Sequence, residues 1–368
     1  MSLIELCPSA PHRAALRLTG VAVGAPVSER LLRDLEQTDP VALAGIANVN
    51  FVHTLLSAAQ GQNCQLDAAL PEDLWLYFRE MERANIQRLE KSHDLLQRIS
   101  ATFAAEGLTG VLMKGGVQML EPAGFNVKHR FMSDLDIILP KAEAHHAHAC
   151  LVALGGTFDP DKEKLWLPFH HHLPQLYFED LDTVIEIHVA VGAPSIARVL
   201  TAESYIARAQ PSSLSGLFLP HPEDRYLHHI LHSALKRHDI HHIFLRSILD
   251  HVAFQKITTP EDQSAARVRL DLAGLGAELR ILSALTDLAL GQEDSSVIVS
   301  ETKWLKTALP LFGQPGRRQF KMVARTVARA LFNLIASAPH RRRTLGMLRK
   351  EGLRKRLLAH RDALKKQR

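Results

Sequence analysis

The sequence lacks any apolar run near the about 18–20 residues that a helix needs to cross a bilayer, so no membrane-spanning segment is expected. A secretory leader is not expected either. Glu5 stands where positive charge belongs, and Arg17 interrupts the apolar stretch behind it. Cysteine is scarce. Cys7, Cys64 and Cys150 are odd in number and far apart, which excludes a disulfide framework and a cysteine-based zinc site. A reducing cytoplasm is the expected location. The 21 histidines include no His-Glu-x-x-His or comparable zinc spacing, which sets aside a histidine metallohydrolase. There is no internal repeat and no long low-complexity run. Acidic residues nearly vanish toward the end: residues 317–368 hold 17 of the 44 Lys and Arg but 2 of the 39 Asp and Glu. The body before them is therefore acidic and the tail strongly basic. Otherwise, 46% hydrophobic and 23% charged residues describe an ordinary soluble globular chain, and 368 residues suffice for two or three domains.

The first 30 residues mix apolar residues with Pro and Gly and specify no element. From Ser28 to Ala59 the apolar spacing is helical, and Gly61 to Ala69 reads as a loop. Pro71-Glu72-Asp73 opens a long helix with proline and acids in the first turn, as the helix dipole favours. Its stripe of Leu74, Phe78, Met81, Leu89, Leu95, Ile99 and Phe103 is broken by Asn85 and ends at Gly107. Thr109–Met113 reads as a short strand running into Lys114-Gly115-Gly116, a turn where backbone N–H groups can approach phosphate. Lys141–Leu154 reads as a helix whose His145, His146, His148 and Cys150 face solvent in different directions. A strand is expected around Gln175–Phe178. Thr183–Val191 is the clearest strand, with Ile185, Ile187, Val189 and Val191 on one face and Glu186 and His188 on the other. Beyond Pro220 the chain is helical: 224–238, the stripe Phe244–Val252, Ala265–Leu290 and Trp304–Leu311, then a linker at Gly313–Gly316 and two basic helices. The histidines crowding 228–242 read as surface or structural groups.

The chemistry concentrates in Arg130-Phe131-Met132-Ser133-Asp134-Leu135-Asp136-Ile137-Ile138-Leu139. Residues two apart on a strand point the same way, so Asp134 and Asp136 form an acidic pair on one face. A buried strand does not tolerate two unpaired carboxylates; a divalent cation, an arginine or solvent must meet them. Glu186 supplies a third carboxylate from a strand able to lie beside the first. Two carboxylates at i and i+2 plus a third suit a two-metal phosphoryl-transfer site. Hard oxygens suit Mg²⁺, paired metals stabilise attacking and leaving oxygens, and Lys114 with the Gly115 and Gly116 backbone can carry a triphosphate.

Together Val111-Leu112-Met113-Lys114-Gly115-Gly116, Ser133-Asp134-Leu135-Asp136, His171-His172-Leu173-Pro174 and Ile185-Glu186-Ile187-His188 resemble the DNA polymerase β-type nucleotidyltransferase superfamily, and within it a bacterial group of uncharacterised nucleotidyltransferases. The likeness runs over about residues 75–255, through Pro222-Glu223-Asp224 and Leu245-Arg246-Ser247-Ile248-Leu249-Asp250. It implies an α+β fold: a small mixed sheet like the polymerase β palm, flanked by N-terminal and C-terminal helical regions. The expected division is a helical region at 1–106, a catalytic core at 107–215, a helical domain at 216–312 and a basic helical tail at 313–368. The resemblance implies that Asp134, Asp136 and Glu186 hold Mg²⁺ (or Mn²⁺) and carry catalysis. It assigns nucleotide phosphate to Lys114, Gly115, Gly116, Ser133 and Arg130, and supporting or substrate contacts to His172 and His188. Superfamily members usually carry Gly-Ser in the first strand-to-helix turn, where the serine contacts phosphate; here the turn is Lys114-Gly115-Gly116 and that hydroxyl is absent.

The expected reaction is Mg²⁺-dependent transfer of a nucleotidyl group from an NTP to an acceptor the sequence does not identify: a small molecule, peptide, sugar or protein. A kinase-like phosphoryl or pyrophosphoryl transferase, and a non-catalytic nucleotide- or RNA-binding module, stand as alternatives. The basic tail either docks on the acidic body or meets nucleic acid or an anionic surface.

Overall fold

In a computed structural model that describes residues 9–122, 126–159, 171–179, 181–192, 194–235 and 244–292, the chain opens with helices rather than an irregular lead. These are α1 (Ala10–Ala22), α2 (Glu29–Glu36), α3 (Pro40–Val49) and, after a 3₁₀ turn at Leu56–Ala59, α4 (Cys64–Ala69). Two of them correct the sequence reading. α1 was obscured by Arg13 and Arg17 inside its apolar stretch. Both guanidiniums bond the Asp34 carboxylate of α2, so the charges are buried as a cluster. α4 falls in the expected loop because the Asn63 side chain accepts from the N–H groups of Gln65 and Leu66, an N-cap that starts a helix with little apolar content.

α5 (Glu72–Ala105) is the long helix, 34 residues. It leads into β1 (Gly110–Leu112), α6 (Lys114–Leu120), β2 (Asp134–Ile138), α7 (Ala144–Ala153), β3 (Val184–His188), α8 (Pro194–Ala197), α9 (Ala202–Ala207), β4 (Gln210–Pro211) and β5 (Leu217–Leu219). Helices α10 (Pro222–Leu235), α11 (Phe244–Ile257), α12 (Pro260–Leu272) and α13 (Gly276–Ala289) follow. The expected helix Ala265–Leu290 is two helices. Gly274 takes a left-handed φ of 69° between them, and Thr259 caps the first. The segment Gln175–Phe178 pairs only through isolated bridges, Leu176 with Ile185 and Tyr177 with Thr157. The expected helix Trp304–Leu311, the histidines at 238, 241 and 242, and the basic tail 313–368 lie outside the described residues.

The strands form one mixed five-stranded sheet in the order β3-β2-β1-β5-β4, which with the surrounding helices bears out the α+β class. β2 runs parallel to β3 and antiparallel to β1, and β1 runs parallel to β5. Period-two alternation sorts the side chains between two cores. Leu135, Ile137, Ile185 and Ile187 pack with Ile99 and Phe103 of α5 and with Leu151 of α7. Val111, Met113 and Ile138 pack on the opposite side with Leu227, Ile230 and Phe254 of the C-terminal helices. Val191 belongs to this second core, not to the Ile185 face, because β3 ends at His188 and the alternation ends with it. A third core joins α1–α4 and the first turns of α5 to Leu245, Ile248 and Leu249 of α11 and Leu285 and Leu288 of α13.

Candidate active site

Asp134, Asp136 and Ile138 project from β2 on the side away from α5, and Glu186 and His188 do the same from β3. The parallel register sets Asp136 directly beside Glu186 and Ile138 beside His188. The Asp136 side chain is 1% exposed and that of His188 0%, so their charges must be matched locally.

Two cations match them. Lys114 Nζ lies 2.6 Å from Asp136 Oδ1 and 3.9 Å from Asp134 Oδ2. His188 Nε2 lies 2.7 Å from Asp136 Oδ1 and 3.2 Å from Glu186 Oε2. Burial pushes the Asp136 carboxyl up, but the Lys114 charge and the His188 hydrogen bond outweigh it and hold Asp136 well below the usual carboxylate range. Burial pushes His188 down, and its bonds to Asp136 and Glu186 outweigh that, so its imidazole titrates above its ordinary value and donates to both carboxylates. Glu186 is likewise raised by burial and lowered further by the His188 bond, for a net depression. Gln175 Nε2 donates to Glu186 Oε1 at 2.5 Å.

Lys114 reaches the carboxylates because its backbone is turned. Its φ is 47°, and among the described residues the other non-glycine at positive φ is Phe51. A left-handed lysine at the first position of α6 is strained by about 1 kcal/mol or more. Gly115 follows for a packing reason. A Cβ there would run into Met132 Sδ and Arg130 Nη1. The Gly116 N–H donates to Met113 O at 3.1 Å. Both glycines are buried.

The other expected residues fall at varied distances from this centre. Ser133 Oγ is 3.2 Å from Asp134 Oδ1 at the exposed end of β2. His172 bridges to His188 through the backbone, and its Nε2 is 3.9 Å from Glu186 Oε2. Arg130 is engaged elsewhere: its Nε and Nη2 hold Asp250 of α11 at 2.8 and 3.0 Å. Asn85, the polar break in the α5 stripe, donates to the carbonyls of Lys128 and Arg130 and so anchors the segment entering β2.

For several polar groups near the site sequence reasoning found no specific role. Asp250 and Arg246 sit four apart on α11, and Gln118 one turn beyond Lys114 on α6, spacings indistinguishable from an ordinary amphipathic helix. His228 and His229 are buried, and burial holds their imidazoles down at about 3 and about 4. Glu223 and Asp224 in the first turn of α10 receive Arg208 and Arg269. The Pro222-Glu223-Asp224 motif therefore locks α10 to its neighbours.

Can the centre hold a divalent cation? Ligand atoms of Asp136, Glu186 and His188 lie within 4.8 Å of one another, Asp134 flanks them, and hard carboxylate oxygens dominate the set, which fits Mg²⁺ or Mn²⁺ chemistry. The three carboxylates outnumber the two cations that meet them.

A family profile described as an uncharacterised nucleotidyltransferase matches residues 36–291, well over half of the chain. The match takes in every residue of the candidate centre. No curated protein and no solved structure shows significant similarity to the chain. Among the described residues no helix is long and apolar enough to cross a membrane.

Proposed function

The chain belongs to the uncharacterised nucleotidyltransferase family, and from that premise we propose that it moves a nucleotidyl group from an NTP to an acceptor at Asp134, Asp136 and Glu186. One observation carries the reading above all: Asp136 and Glu186 are cross-strand partners, with Asp134 one alternation along the same face. Three carboxylates converge there at a sheet end, and two of them are buried. Burying carboxylates costs several kcal/mol each, which a purely structural strand avoids with apolar residues.

Asp134, Asp136 and Glu186 would hold Mg²⁺ or Mn²⁺. Such an ion supplies charge stabilisation to the phosphoryl oxygens and to the attacking hydroxyl. The chain's own groups set the rest. His188 holds Asp136 and Glu186 in one orientation by donating to both. Gln175 fixes the second oxygen of Glu186. Lys114 adds positive charge where phosphoryl oxygens accumulate negative charge. In the reaction the acceptor oxygen forms a bond to the α-phosphorus and the bond to the β-phosphate oxygen breaks. Pyrophosphate leaves, and the acceptor proton passes to Glu186.

The test uses NTPs labelled separately at the α and γ positions, with cell extract as the source of acceptor. Wild type is expected to label an acceptor from the α position and release labelled pyrophosphate from the γ position. Asp136→Asn and Glu186→Gln are each expected to lower the rate by at least about 100-fold. Acceptor labelled from the γ position would make the protein a phosphoryl transferase instead. Full activity in Asp136→Asn would remove the carboxylate site altogether.

A further inference from the structure

A cavity opens beside the carboxylates, between α6, β2 and the helices α9–α11. Lys114, Ser133 and Asp134 line it together with His228, His229 and Phe254. Its charges are unbalanced. Lys114, Arg130, Arg225 and Arg246 line it, against Asp134 and Asp250. The pairing inside is specific. Arg130 takes both oxygens of Asp250. Lys114 is bonded to Asp136. Arg246 is left with a carbonyl, Phe131 O at 3.2 Å, and the Phe51 ring, 5.6 Å from its guanidinium carbon. Burial and the neighbouring Arg130 charge push the Arg246 guanidinium down to about 10, against the opposing pull of Asp250, Asp134 and Asp136. Arg225 Nη1 meets Glu121 at 2.6 Å, while its Nη2 is buried without a hydrogen-bond partner.

The orphan atoms continue around the same cavity. Gln118 Oε1, His228 Nε2 and His229 Nε2 are buried and unpartnered. Gln118, His228 and His229 are 2%, 3% and 8% exposed. Buried polar atoms without partners cost about 1–3 kcal/mol each, so several converging on one cavity mark a place built to receive a polar ligand. Neutral imidazoles and an amide oxygen suit an uncharged, hydrogen-bonding group. His229 also stacks on Phe254 at 4.8 Å between centroids, adding an aromatic face to the lining.

We propose that this cavity is the nucleotide pocket, that Arg246 and Arg225 receive the polyphosphate, and that His228 and His229 receive the nucleoside. The inference rests on the nucleotidyltransfer reading and relocates a role within it. Lys114, which sequence reasoning assigned to phosphate, is also bonded to Asp136, so it meets the phosphoryl oxygens beside the carboxylates while the rest of the triphosphate charge falls to guanidiniums 111 and 132 residues further along the chain. Arginine suits the task, since its planar fork pairs with phosphate oxygens two at a time.

Binding of inorganic tripolyphosphate, ATP and orthophosphate to the full chain, measured by calorimetry in EDTA, separates this from catalysis. Wild type is expected to bind tripolyphosphate and ATP, with orthophosphate weaker. Arg246→Met is expected to weaken both polyphosphate ligands by about tenfold or more, and Arg246→Lys to recover part of that. Arg225→Gln is the second arm, decisive if Arg246→Met fails to fold by circular dichroism. Asp136→Asn is expected to bind tripolyphosphate at least as tightly as wild type. Wild-type polyphosphate affinity in folded Arg246→Met and Arg225→Gln would overturn the inference, as would orthophosphate binding more tightly than tripolyphosphate. If wild type transfers an α-labelled group and the arginine variants do so at undiminished KM, the pocket assignment fails and the reaction stands. If the arginines govern polyphosphate binding but no transfer occurs, the reaction fails and the pocket stands.

Discussion

Lys114 carries more of the local electrostatics than any other single side chain. Its backbone is held left-handed at φ 47°, and its ammonium is bonded to a carboxylate that is 1% exposed. Lys114→Met leaves Asp136 with His188 as its remaining side-chain partner. The expected loss is about 3 kcal/mol, because a buried charge loses its partner. Added Mg²⁺ or Mn²⁺ is expected to restore more melting temperature to this variant than to wild type, since a cation gains where the ammonium is gone. A melting temperature equal to wild type would mean the pair contributes nothing net. The next residue provides a contrast. Gly115→Ala drives a methyl into Met132 and Arg130 and loosens the Arg130–Asp250 pair, for an expected cost of about 1–3 kcal/mol. Gly116→Ala meets Leu112 Cδ2 at 3.4 Å and should be nearly neutral. Denaturant melts of the two variants decide whether the double glycine serves packing at its first position, as the geometry requires.

Among elements, the decisive contact is the pairing of β2 with β3. A slip of β2 by one residue would turn Asp134 and Asp136 into the core held by Phe103 and Leu151, and bring Leu135 and Ile137 to the site beside Glu186. The alternation of apolar and acidic residues forbids that register energetically. Helix crossings matter as much at the far end of the molecule. Gly20 of α1 lies against the backbone carbonyl of Ala289 in α13, where any Cβ would collide. Gly20→Ala must push α1 and α13 apart and open the core containing Leu285 and Leu288. Its expected cost is about 1–3 kcal/mol. Gly45→Ala, in α3 with nothing within 4 Å of its added methyl, should instead stabilise by up to about 1 kcal/mol. Opposite shifts in urea midpoint would separate close approach from helix propensity; a Gly20→Ala melt like wild type would contradict the crossing.

At the scale of the molecule, buried neutral histidines set the acid limit. Burial holds His53 and His229 at about 4 and His171, His228 and His251 at about 3, from an ordinary 6.5. In the unfolded chain these groups take up protons below pH 6.5, while in the folded chain they do not. Stability is therefore complete above pH 6.5 and falls as pH drops toward 4, by about 1.4 kcal/mol per pH unit for each such histidine. His188 opposes the trend, since its raised value favours the folded state below pH 6.5, but one histidine opposes five. His251→Phe, replacing a ring stacked on Tyr226, is expected to flatten the pH dependence by one histidine's share. An unchanged slope between pH 6.5 and 4 would show that His251 is protonated in the folded protein.

How much of this was legible in the chain differs by element. The two acidic strands, the long helix and the third carboxylate follow from period-two and 3.6-residue spacing, which are local. α1 and α4 were hidden because buried Arg13 and Arg17 resemble surface charge until Asp34 of a separate helix meets them, and because an Asn63 cap outweighs a polar sequence. β4 and β5 are two and three residues long, too short for any periodicity to register. At the site, sequence placed Asp134 and Asp136 on one face and made Glu186 a neighbour in principle. It could not say that Lys114 bends back to neutralise Asp136, that His188 joins both carboxylates, or that Arg130 is claimed by Asp250, 120 residues away.

The sequence by itself thus carried the family resemblance, with the α+β class it implies, and the placing of Asp134 with Asp136 on one strand face, because motifs and short-range spacing are local. Only the tertiary structure decided which cation serves which anion. Lysine and arginine are interchangeable as charges along a chain, and it is distance through the fold, set by the packing of α6, α10 and α11 against the sheet, that pairs Lys114 with Asp136 and leaves Arg246 without a carboxylate partner among its described contacts.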